Sequence, residues 1–226
     1  MSDALLAQWY RALPHYKPSD DPDLWATRMH SALRGFRRKV RLRYREGTLQ
    51  RLLEHPDVET RRAAVLALGL TGTIASNASL ARCLHDPDEL VAKTSSDSLW
   101  EIWFRGGCDD ANLELQRVLH LSDKRQILTG LNEIINTYPD FAEPINQRAI
   151  LHFEQGEYSQ SIADCQRVLQ LNPYHFGAQA GLGQCYVKLR KFASALRAFK
   201  LALEINPTMS HLADTIHALE NAVGDG

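Results

Sequence analysis

Between residues 142 and 207 the same pattern is written twice, 34 residues apart, and this constrains the fold more than any other feature of the chain. The first copy, AEPINQRAILHFEQGEYSQSIADCQRVLQLNP, runs from Ala142 to Pro173, and the second, FGAQAGLGQCYVKLRKFASALRAFKLALEINP, from Phe176 to Pro207. In register, Ala149 falls on Gly183, Gly156 on Arg190, Tyr158 on Phe192, Ser161 on Ala195, Val168 on Ala202, Leu171 on Ile205 and Pro173 on Pro207. One further step back from Pro173 reaches Pro139, which closes TYPD after the run ILTGLNEIINTYP. A period of this length, with small residues in mid-helix and a closing proline, marks a helical solenoid, because one hairpin cannot bury its apolar face without a stacked neighbour.

The residue types agree with that reading. Small side chains at Gly183 and Ala195 let two antiparallel helices approach closely, and Tyr186 and Phe199 fill the space between hairpins. Each proline stops a helix, having no N–H to donate and restricting the residue before it. The exposed last face needs a cap, and residues 209–223 supply it: Leu212, Ile216, Leu219 and Val223 lie on one stripe, with Gly224 after the end.

At these residues the chain resembles the tetratricopeptide repeat family. The second copy carries Leu182, Gly183, Tyr186, Phe192, Ala195, Phe199, Ala202 and Pro207 at the family's positions. The first keeps Ala149, Gly156, Tyr158, Val168 and Pro173, but has Arg148 where leucine is usual and Ser161 where alanine is usual. A degenerate copy over roughly 108–139 keeps Leu115, Val118, Ile134 and the proline.

A second repeat, of period 31, precedes it. LLEHPDVETRRAAVLALG (52–69) aligns with CLHDPDELVAKTSSDSLW (83–100), so that His55-Pro56-Asp57 falls on Asp86-Pro87-Asp88 and Arg62 on Lys93. The proline is expected in the first turn of the second helix, the aspartate as its cap, and the basic residue one turn on as partner to an acid of the adjoining repeat. This stretch, about 46–105, resembles HEAT repeats, in particular the short bacterial kind also seen in phycobilin lyases. In the second copy Ala92 replaces the first arginine, and Ser95 and Ser96 dilute the alanine run.

Upstream, residues 3–13 read as a short amphipathic helix, and Asp21-Pro22-Asp23 as the start of the next. Trp25, Met29, Leu33, Phe36, Val40 and Tyr44 then recur at helical spacing, as one long helix or two broken near Gly35. Its second half is strongly basic, and Arg34, Arg37, Arg38, Arg41 and Arg45 are expected to share a face. That face is either a solvated cover for the first repeat or a docking surface for an acidic partner, nucleic acid or anionic lipid. At the junction WFRGGCDDAN (103–112), Gly106-Gly107 ends a helix and Asp109 or Asp110 caps the next.

The expected architecture is therefore all-α, a right-handed α-solenoid. An N-terminal helical segment (1–45) leads into HEAT-like hairpins (46–107), then three tetratricopeptide hairpins and a C-terminal capping helix (108–226). Formal net charge is −1, with 16 cations against 13 anions up to residue 107 and 10 against 14 beyond it, so the chain as a whole is no polycation seeking nucleic acid. Four cysteines lie far apart with no CxxC pair, which suits a reducing, cytoplasmic setting; Cys83 and Cys108 are read as packing and boundary positions rather than reactive thiols. No signal peptide opens the sequence, and no apolar run approaches the roughly 18 residues of a membrane span.

Catalytic signatures are lacking. The nine histidines are scattered without HExxH or a His/Cys grouping at ligand spacing, and GLGQCYVK lies inside a repeat helix, not a phosphate loop. No catalytic residue, metal ligand or cofactor is assigned. In the tetratricopeptide family the first helix of each repeat lines a concave face that holds peptides. The resemblance places Asn112, Gln116 and Leu119 there, then Asn146, Ile150, Phe153 and Glu154, then Ala180, Gln184, Val187 and Lys188. The family's best-known ligand mode clamps a chaperone's C-terminal carboxylate with lysines, an arginine and asparagines; Gln116, Gly177 and Ala180 offer no such cationic clamp. A mixed groove with Phe153 at its centre suits a short amphipathic segment instead. The expected function is a non-catalytic protein–protein adaptor, with self-association through the open N-terminal face as a further possibility. The alternatives are a lyase or chromophore-handling protein built on the shorter repeats, and electrostatic docking through residues 34–45.

Overall fold

The computed structural model describes residues 5–224, and among them every regular element is helical. Two compact units divide the chain after Ile102. The first contains α1 (Leu5–Arg11), α2 (Pro22–Arg43), α3 (Glu46–Leu52), α4 (Val58–Thr71), a 3-10 turn at Ile74–Ser76, α5 (Asn77–Cys83) and most of α6 (Glu89–Phe104). Residues 3 and 4, expected to begin the first helix, lie outside the described residues.

Helix α2 starts as its sequence demands: Asp21 is extended and accepts the Leu24 N–H at 2.9 Å, with Pro22 in the first turn. It runs unbroken through Gly35 and ends at Arg43, because Tyr44 turns extended. Arg45 therefore does not share the helix face expected of it; it sits past the end, at the N-cap position of α3. Phe36 and Val40 are buried, and α2 packs on α4 and α1.

The aspartates of the shorter repeat cap as expected. Asp57 accepts the Thr60 N–H at 2.9 Å and Asp88 the Val91 N–H at 3.0 Å. The prolines differ from expectation: α4 begins at Val58 and α6 at Glu89, so Pro56 and Pro87 stand before the capping aspartates, not in the first turn. The reason is local, since a capping aspartate needs extended backbone, as Asp57 has at φ −75° and ψ 121°, and the residue before it is then outside the helix. Successive repeats are joined by two forked ion pairs. Arg61 reaches Asp86 at 2.8 and 3.0 Å, and Arg62 reaches Asp88 at 2.9 and 2.6 Å. Helices α4 and α6 meet at Gly69, where a Cβ would stand 2.4 Å from the Ser98 hydroxyl oxygen.

The second unit contains α7 (Asp109–Leu119), α8 (Lys124–Thr137), α9 (Ala142–Glu154), α10 (Tyr158–Leu171), α11 (Phe176–Lys188), α12 (Phe192–Ile205) and α13 (Leu212–Gly224), each packed on the next. These are the three hairpins and the cap. A Cβ at Gly183 would lie 2.6 Å from the Phe199 ring, so this glycine sets the approach of α11 to α12. Tyr186 packs against the cores on both sides of it. Leu212, Ile216 and Leu219 close the last face; the side chain of Val223 lies outside the described residues, and α13 includes Gly224 instead of stopping before it.

The junction is built differently from expectation. Cys108 is the N-cap residue of α7 and makes no capping bond, while Asp109 and Asp110 lie within the first turn, where their charge favours the helix dipole. Asn112 ties the loop instead, accepting the Gly107 N–H at 3.0 Å and donating to the Gly107 carbonyl at 3.0 Å.

Candidate partner-binding surface

Helices α7, α9 and α11 are the first helices of their hairpins, and α9 and α11 touch. On α9, Ile150 is 46% exposed. One turn on, Phe153 is half-buried with its ring 5.6 Å from Tyr158, and Glu154 is exposed and paired with Lys124 at 2.7 Å. At the matching positions of α11, Gln184 and Lys188 are exposed and Val187 is half-buried against the last core. Gln116 of α7 is exposed, with its backbone carbonyl engaged by His120.

The other expected lining residues are turned inward. Asn112 holds the Gly107 loop, Leu119 packs on the α7/α8 core, and Ala180 is buried. Asn146 is 3% exposed and donates to Glu143 Oε1 at 3.1 Å. It belongs to a buried polar cluster that the sequence pattern did not reveal. Glu143 and His175 are both fully enclosed, 3.3 Å apart. Ala178 N–H donates to His175 Nδ1 at 3.0 Å, which leaves Nε2 as the nitrogen facing the carboxylate. Gln147 donates to Glu143 Oε1 at 2.6 Å, and the Trp103 indole stacks on the imidazole at 4.2 Å. Glu143 in a first helical turn reads from sequence as an ordinary solvated acid; nothing local signals that a histidine 32 residues away meets it in the interior. Buried and held by Glu143, the Asn146 amide is not open to a ligand carboxylate.

Arg148, the departure from the usual leucine, forks onto Asp164 at 2.8 and 2.7 Å and also reaches Asn132 at 2.7 Å. Ser161, the other departure, donates to the Ala149 carbonyl at 2.8 Å. In the first unit Arg34, Arg37, Arg38 and Arg41 are all exposed on α2, and Arg45 is exposed beyond it. Of the cysteines, Cys83, Cys165 and Cys185 are buried and Cys108 is exposed. Burial pushes the Cys83 thiol up to about 11 and Cys165 to about 12, which keeps them protonated and unreactive.

Comparison with known proteins follows the division into units. Residues 21–100 match the HEAT repeats model, which takes in α2, and residues 152–219 match the tetratricopeptide repeat model. A TPR repeat-containing protein of Rhizobium etli is 33% identical over 126 residues, covering 54% of this chain and 61% of that protein. The SGT1 homolog of Bos taurus is 30% identical over 100 residues, covering 44% of this chain and 30% of its own. The chain thus spans less than two thirds of the length of either relative. A solved structure, the first TPR of Spaghetti (RPAP3) bound to the HSP90 peptide SRMEEVD, covers 52% of this chain and 96% of its own at 15% identity, with a TM-score of 0.49. The chain carries HEAT repeats in residues 21–100 and tetratricopeptide repeats in residues 152–219.

Proposed function

We propose that this chain is a non-catalytic protein-interaction adaptor that holds a short amphipathic segment against the first helices of its C-terminal repeats. The observation that carries this is the open strip on α9 and α11: exposed Ile150 and half-buried Phe153 and Val187, bordered by Gln184 and Lys188. Exposed apolar side chains ringed by polar ones are the composition of a peptide-binding surface. The buried Asn146 and Ala180 add shape beneath the strip, not contacts.

The test is selection of a displayed peptide library on the folded chain, followed by binding of the enriched peptides to an Ile150→Ser, Lys188→Ala variant. Both residues are exposed, so helical content and melting temperature should stay near wild type. The expected outcome is a loss of affinity of about tenfold or more, which corresponds to about 1.4 kcal/mol. Peptides that bind the variant as well as the wild type would refute the groove.

A further inference from the structure

Helix α2 carries a feature that the groove does not use. Arg34, Arg37, Arg38 and Arg41 lie at spacings of three and four and turn outward, whereas Phe36 and Val40 of the same helix are buried. All four are exposed, and none of their side chains has an ion pair or hydrogen bond to another described residue. The nearby Lys39 is different, being held 5.7 Å over the Trp9 ring. Arg61 and Arg62 of the same unit, by contrast, each fork onto an aspartate. Leu42, immediately after Arg41, is 82% exposed. Gly35 lies among them in the middle of the helix, and a Cβ there would meet nothing within 4 Å. Glycine weakens a helix interior, and here no internal contact requires it. What a bare backbone does permit is close approach from outside.

We propose that the exposed face of α2 is a second docking surface, for an acidic protein segment that carries a leucine-sized apolar side chain among its carboxylates. Charge complementarity sets the class of partner, since unpaired guanidinium forks match carboxylates two bonds at a time. Leu42 separates this partner from other anions. A phosphodiester backbone offers it no apolar contact, and the aromatic residues of α2, Trp25 and Phe36, are on the packed side rather than free for base stacking. An anionic bilayer needs a broad apolar face, and that face of α2 is already used on α4. Gly35, on the same flank of the helix as Leu42, lets the partner's backbone settle beside the arginines.

The experiment titrates the full chain into a fluorescein-labelled peptide of glutamates surrounding a central leucine. The controls are the same peptide with serine for leucine, a single-stranded oligonucleotide, and phosphatidylserine vesicles. The leucine peptide should bind most tightly, and Arg37→Glu, Arg38→Glu, Arg41→Glu together should lower its affinity by about tenfold or more. Leu42→Ser should erase the difference between the leucine and serine peptides. Gly35→Leu should raise the melting temperature while weakening the peptide, two changes that a purely internal role for Gly35 would not separate. Tighter binding of the oligonucleotide or the vesicles, no measurable binding of the leucine peptide, equal binding of the serine peptide, or indifference to the arginine and Gly35 variants would each overturn the proposal.

Discussion

Gly156 and Arg190 occupy the same position in successive repeats, and both have left-handed backbone, with φ of 79° and 57°. In these two hairpins the turn between the helices thus imposes its geometry whether or not glycine is present. For Arg190 the backbone is held in a conformation that L-residues avoid, and its guanidinium lies 6.0 Å from the Phe192 ring without a carboxylate partner among the described residues. Arg190→Gly is therefore expected to stabilise the chain by roughly 0.5–1 kcal/mol, and Gly156→Arg to destabilise it by a similar amount. Chemical denaturation midpoints at unchanged slope would show both. Equal effects of the same sign would mean that the turn tolerates either residue for another reason.

At the scale of elements, the two copies differ by an exchange that is compensated across a hairpin. Arg148 and Asp164 occupy the positions of Leu182 and Ala198 in the next repeat, so a forked ion pair replaces an apolar contact between first and second helix. Removing one member strands the other: Asp164→Ala should cost about 2 kcal/mol, less than for a fully buried pair because Arg148 is 21% exposed. The double variant Arg148→Leu, Asp164→Ala should return to within about 1 kcal/mol of wild type, having the solution that the next repeat already uses. Thermal melts of the three variants would decide it, and a double variant no better than the single one would remove the compensation argument. The same pair marks what was legible in the sequence. Period, closing prolines and small residues suffice for the hairpins and for Arg148 as a departure, because they depend on local spacing. Its partner was not legible, since Asp164 meets it only through the packing of α9 on α10. The candidate surface was half legible for the same reason. A repeat template puts Ile150 and Asn146 on one face, one turn apart, but only tertiary contact shows that Glu143 captures the Asn146 amide while Ile150 stays open.

For the whole molecule, charge balance decides how it responds to acid. Formal net charge is −1 at neutral pH, with 27 carboxylate side chains offsetting 26 lysines and arginines, so protonating the acids leaves a strongly cationic chain that repels itself. Against this general trend Asp88, at the repeat junction of the first unit, keeps its charge to lower pH than an ordinary aspartate. The hydrogen bonds from Arg62 hold the Asp88 carboxyl down at about 2, from an ordinary 3.8. A carboxyl whose folded value is depressed contributes stability that is complete above the unfolded value and disappears as pH falls through the folded one. The Asp88 contribution should therefore be full above about pH 4 and vanish toward pH 2. Asp88→Asn removes it at every pH. That variant should be less stable than wild type at neutral pH, and the gap should close between about pH 4 and 2. Unfolding free energies measured across that window test the assignment directly. A gap that stays constant with pH would place the value of Asp88 in its uncharged capping bond to Val91, which Asn can partly keep, and not in its pairing with Arg62.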